Sequence, residues 1–135
     1  MNTTGIGLLI LRLFIGIRVI YGIIDNVFSM KHMKEFASFL SQFGFPIPIA
    51  AAFLSVYTQL IAATLILIGW KTKYAAGILA FHFLIALGMV HLQNNDSVEA
   101  MTPALAIFCI SLALCFMGAC KYALDPLKNS KNELL

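Results

Sequence analysis

Two arginines, Arg12 and Arg18, stand inside a run (residues 5–24) that is otherwise apolar almost throughout. A guanidinium at mid-membrane costs roughly 3 kcal/mol even on lenient insertion scales, so it normally faces a partner, a cavity or a ligand. Its N–H groups match carboxylate, phosphate and carbonyl oxygens. Few other groups in the apolar segments or at their ends can join it: Gln59, His82 and His91, with Asp25, Asp96, Glu99 and Asp125 beyond them. These are hydrogen-bond donors and titratable groups. They suit the binding of an oxygen-bearing ligand and the handling of a proton, and none is singled out as catalytic.

Counting depth at about 1.5 Å per residue along each helix sorts these groups into two layers. Arg12, Gln59 and His82 fall at one inner level, with Cys115 near it, and are expected to form one hydrogen-bonded cluster. For His82 the alternative is an ordinary bundle histidine satisfied by its neighbours. Arg18 and Asp25 are seven apart and so nearly on one side of their helix. His91, Asp96 and Glu99 belong to the same outer level. Two readings stay open there, a ligand site or a belt of ion pairs tying three spans together. Arg12 has no acid at its depth, the closest being Asp125 beyond the fourth span. Ligand or water is therefore expected beside Arg12 rather than Arg18, and Gln59→Glu is expected to stabilise the bundle by supplying the missing anion.

The elements that must hold these layers are membrane spans. Of 135 residues, 61% are hydrophobic and 11% charged, against roughly 25% charged in a soluble domain. Four stretches, 6–24, 47–68, 74–90 and about 101–120, have close to the 20-residue spanning length. The expected fold is an all-α integral membrane bundle of four transmembrane helices, one domain over residues 1–125 with a short polar tail at 126–135. The start lacks a basic region and a small-residue cleavage site, and Arg12 interrupts the apolar run, so it reads as a retained helix rather than a signal peptide. Lys71, Lys73, Lys121, Lys128 and Lys131 fall on one side, and only Lys31 and Lys34 on the other. The positive-inside rule then places both termini in the cytoplasm, in a cell membrane. Trp70 and Tyr74 flank the inner turn, where interfacial aromatics belong. The net charge of +3 reflects such anchors and does not point to nucleic acid.

The first connection, 25–46, is not a plain loop. Met33, Phe36, Ala37, Leu40 and Phe43 recur at helical spacing, with Lys31, Lys34, Glu35, Ser38 and Gln42 opposite. This predicts a short amphipathic helix at the membrane interface between the first two spans. Gly44, Pro46 and Pro48 end it and turn the chain into span two. It can serve as a cap on the bundle or as a lid over a lipid-soluble ligand.

Cys109, Cys115 and Cys120 lie in or beside span four without a Cys-x-x-Cys pair and read as small core residues. His32, His82 and His91 have no metal-ligand spacing. Gly16, Gly22, Ala62, Ala63, Ala75, Ala76 and Gly77 permit close helix packing.

Leu11-Arg12-Leu13-Phe14-Ile15-Gly16, followed by Tyr21-Gly22, resembles the opening of the DoxX family. So do Phe45-Pro46-x-Pro48, the Leu67-Ile68-Gly69-Trp70-Lys71-Thr72 turn, His91, Glu99, and Gly118-Ala119-Cys120-Lys121-Tyr122-Ala123-Leu124-Asp125. The acid that the family often carries in span two is Gln59 here, which puts a neutral Arg12–Gln59 contact where an Arg–carboxylate pair would stand. The resemblance implies a small four-helix membrane protein that interacts with quinone or quinol, as a subunit or partner of a membrane redox system. Its site would be drawn from Arg12, Gln59, His82, Arg18, Asp25, His91, Glu99 and Asp125. A quinone fits the residues, since its carbonyls accept from Arg and His and its reduction takes up protons. No covalent cofactor is expected; any catalysis would need a partner protein's cofactor, and a homo-oligomer is left open. The rival reading is a scaffold or small-solute permeation protein whose buried charges only fix helix register.

Overall fold

A computed structural model describes residues 3–119. Among these the chain is helical throughout its regular parts: α1 (Thr3–Phe28), α2 (Met30–Ser41), α3 (Pro48–Ile68), α4 (Thr72–Ala86), a π-helical turn (Leu87–His91) that prolongs α4, and α5 (Val98–Met117). Four helices, Thr3–Phe28, Pro48–Ile68, Thr72–His91 and Val98–Met117, are long and apolar enough to cross a bilayer. They match the four predicted spans and the all-α class. Asp125, Cys120 and the polar tail at 126–135 lie outside the described residues, as do Lys121, Lys128 and Lys131.

Local signals set the joints. Ser29 ends α1, with its amide donating to the Asp25 carbonyl (2.9 Å), and its hydroxyl caps α2 by accepting from the His32 amide. Pro48 opens α3 at a position where a missing N–H costs nothing. Gly69 closes α3 at φ +75°, a left-handed turn that glycine adopts without strain. It donates to the Leu65 and Ile66 carbonyls, and Trp70 also donates to Leu65. Lys71, itself left-handed at φ 49°, then starts α4, so α3 and α4 pack side by side.

The amphipathic reading of α2 holds in detail. Met33, Ala37 and Leu40 are buried with Phe43, while Lys31, Lys34, Glu35, Ser38 and Gln42 are exposed. Its apolar face packs with Ile23 of α1 and Ala52 and Val56 of α3, covering one end of the bundle. The main core lies towards the other end: Leu8, Ile15 and Val19 of α1, Ala62, Ala63 and Ile66 of α3, Ala75, Ala76 and Leu79 of α4, Ile107 and Leu114 of α5. Small residues bring the backbones together. A Cβ on Gly16 would fall within the Leu67 side chain and 3.2 Å from the Ala63 carbonyl oxygen. One on Gly77 would lie 3.2 Å from Cys115 Sγ.

Contacts are dense between α4 and α5, α1 and α3, and α3 and α4, but sparse between α1 and α5. The bundle is a row of helices, α1–α3–α4–α5, whose two ends meet only loosely.

Candidate ligand-binding cavity

Where α1 and α5 meet loosely, a half-open cavity of about 360 Å³ remains between them under α2. That is within the usual range for small-molecule sites, roughly 300–1,000 Å³. Its wall is mainly apolar: Val19 and Ile23 of α1, Phe36 of α2, Val56 of α3, Phe83 of α4, and Ala100, Pro103, Ala104 and Ile107 of α5. Four polar side chains interrupt it: Arg18, Asn26, Gln59 and His91.

Arg18 is the only arginine or lysine among the described residues of this wall. Helical side chains normally lean towards the helix N-terminus, but the Arg18 guanidinium extends the other way, over Gly22. Its Nη1 lies 3.2 Å from where a Gly22 Cβ would stand, so the absent side chain gives it room. Arg18 makes no hydrogen bond or ion pair among the described residues, and it remains exposed.

His91 ends the π-turn, in which the Leu92 amide reaches back to the Leu87 carbonyl (3.0 Å). Its Nδ1 is 2.8 Å from Asp96 Oδ2. Asp96 is held in turn by Asn94 Nδ2, which donates to Oδ1 at 2.7 Å, and by its own amide donating to the His91 carbonyl at 3.1 Å. Asn95 between them takes a left-handed φ of 52°, which asparagine tolerates better than most residues. The six residues from His91 to Asp96 thus form a closed hydrogen-bonded turn with the histidine ring at its end.

Gln59 donates from Nε2 to Ser55 Oγ (3.2 Å), and Ser55 Oγ is 2.8 Å from His82 Nε2. His82 packs edge-on against Phe83 at 5.2 Å, and its buried Nδ1 has no hydrogen-bond partner among the described residues. A polar chain therefore runs from the cavity wall into the α3–α4 interface.

Arg12 is elsewhere. It is 1% exposed, with Nε donating to the Ile66 carbonyl (2.9 Å) and Nη2 to the Leu67 carbonyl (3.0 Å). Both oxygens belong to the last turn of α3, where the helix dipole is negative and carbonyls lack i→i+4 helical partners, the Ile66 oxygen also accepting from the Gly69 amide. The expected Arg12–Gln59–His82 cluster is therefore corrected: Gln59 and His82 are joined through Ser55, and Arg12 caps α3. The expected outer ion-pair belt does not form among the described residues either. Asp96 pairs with His91, whereas Arg18, Asp25 and Glu99 are exposed and enter no such pair.

The sequence agrees with this architecture. A family model for DoxX matches residues 7–92, well over half of the chain. This chain belongs to the DoxX family. No curated protein and no solved structure gives a significant match. The DoxX match takes in Arg12, Arg18, Gln59, His82 and His91 but stops before Asp96, Glu99 and α5. One wall of the cavity is thus built from residues beyond the matched region. Ser55 and Asn26, which the depth count passed over, belong with this DoxX site. Ser55 could have been found, because it stands one helical turn before Gln59 on the same face.

Proposed function

We propose that this DoxX protein binds a lipid-soluble quinone or quinol in the cavity between α1 and α5, as a membrane subunit or partner of a redox system. The observation that carries the reading is Arg18. A guanidinium within a membrane-spanning helix, making no hydrogen bond among the described residues and lining a mainly apolar cavity, calls for an oxygen acceptor. A ring carbonyl or hydroxyl supplies one, and the apolar wall suits the ring itself. The sparse α1–α5 contact gives a lipid-borne ligand a lateral way in. Electrons would pass to or from a partner protein's cofactor. The lysine distribution supports a cell-membrane topology with both termini cytoplasmic, the cavity then opening on the outer half.

A scaffold reading draws on a different observation, the use of Arg12 to cap α3. It accounts for the inner arginine and leaves Arg18 unexplained.

The test is purification in native lipid followed by solvent extraction and titration with a decyl-tailed benzoquinone. Quinone should co-purify with the wild type and be lost, with weaker titration, in Arg18→Leu. Absence of both co-purifying and added quinone from the wild-type protein would sink the proposal.

A further inference from the structure

The turn after α4 does more than line the cavity. A π-turn holds one residue more than an α-turn, which swings the side chains that follow by about 100° around the axis. Here the turn spans Leu87–His91 and ends on His91, which lines the cavity. Asp96 accepts on both carboxylate oxygens, from His91 Nδ1 at 2.8 Å and from Asn94 Nδ2 at 2.7 Å. An oxygen that only accepts requires the hydrogen to sit on Nδ1. Nε2 of the neutral ring then carries a lone pair, and it has no protein donor among the described residues.

We infer that Asp96 is a positioning residue that fixes the tautomer of His91, making His91 Nε2 a hydrogen-bond acceptor in the cavity that takes a ligand hydroxyl. The inference rests on the proposed quinone-type ligand and specifies which form of it the cavity retains. Arg18 donates to a ligand oxygen in either redox form. Of the two ring forms only the hydroxylated one, the quinol, can donate to His91 Nε2, so the quinol is favoured over the quinone. The quinone leaves that nitrogen facing a carbonyl, lone pair against lone pair. One hydrogen bond of this kind corresponds to roughly tenfold in affinity.

Asp96→Asn tests the device without removing it. Asn94 goes on donating to the oxygen it already holds, so the new amide must turn its NH2 towards His91 Nδ1. That forces the hydrogen onto Nε2 and converts the acceptor into a donor. Affinities of a decyl-tailed benzoquinol and its quinone are measured under argon for the full chain in phosphatidylcholine nanodiscs, with imidazole 15N shifts of His91 assigned through His91→Gln. The wild type should prefer the quinol by about tenfold. Asp96→Asn should melt as the wild type does, bring the quinol-to-quinone ratio close to one and move the protonated nitrogen from Nδ1 to Nε2. Asp96→Glu should keep the wild-type order. A wild-type ratio near one, or a ratio that Asp96→Asn leaves unchanged, overturns the inference while the cavity reading stands. If neither ring binds, the cavity reading falls, and with it the choice of redox form. The 15N spectrum then decides the role of Asp96 alone, and an Nε2–H tautomer in the wild type overturns it.

Discussion

Six residues apart on one helix, Arg12 and Arg18 meet opposite environments. Arg12 is buried and donates to two carbonyls of the α3 terminus, whereas Arg18 is exposed in the cavity wall with no hydrogen-bond or ion-pair partner among the described residues. Arg12→Leu removes a buried side chain's donors from the Ile66 and Leu67 carbonyls and should lower unfolding free energy by roughly 2–4 kcal/mol. Arg18→Leu breaks no bond and should stay within about 0.5 kcal/mol of the wild type. Reversible unfolding in mixed micelles measures both, and equal losses would refute the division of roles. The residue types were legible in the sequence; their pairing was not. Depth counted along helix axes ignores the several ångströms that an arginine spans, and Arg12 leans towards the N-terminal end of α1. It lands on Ile66 and Leu67, whereas Gln59 lies seven residues, about 10 Å, further along α3. The stabilisation expected of Gln59→Glu through Arg12 therefore has no basis, since the Gln59 amide serves Ser55 in the cavity wall.

Elements were easier to read than contacts, because a span needs only length and apolarity, and an amphipathic helix only a period. The four spans and α2 follow from those signals, and Gly69 marks the turn between α3 and α4. The π-turn at Leu87–His91 left no such signal, since it depends on how α4 meets its surroundings rather than on a residue type. Packing distance is likewise invisible in composition, as two glycines of α1 illustrate. A Cβ on Gly7 would have nothing within 4 Å, whereas one on Gly16 would overlap Leu67 and press on the Ala63 carbonyl. Gly7→Ala should be neutral or stabilising by up to about 1 kcal/mol, through helix propensity. Gly16→Ala should cost about 1–3 kcal/mol, because α1 and α3 must separate or Leu67 must leave its rotamer. Unfolding of the two variants side by side checks this, and a destabilised Gly7→Ala with an unaffected Gly16→Ala would contradict the close α1–α3 approach.

At the scale of the whole molecule, the candidate site lies where the row of helices fails to close. Small residues draw α1 to α3 and α4 to α5, and α2 covers the end where α1 and α5 leave a gap. The gap is roofed by an amphipathic helix and walled mainly by apolar side chains. That is the environment in which an unpaired arginine binds an oxygen ligand most strongly. If the gap is the site and the chain crosses four times, accessibility should follow from topology. In a background with Cys109, Cys115 and Cys120 replaced by alanine, Lys31→Cys and Asn26→Cys should react with an impermeant maleimide from one side of the membrane. Lys71→Cys should react from the other. Only Asn26→Cys, whose position lines the cavity, should be slowed by the decyl-tailed benzoquinol. Labelling of positions 31 and 71 from one side would break the four-span arrangement. A reaction at position 26 indifferent to the quinol would move the ligand out of the gap, because a ring held against Arg18 and His91 cannot leave that wall uncovered.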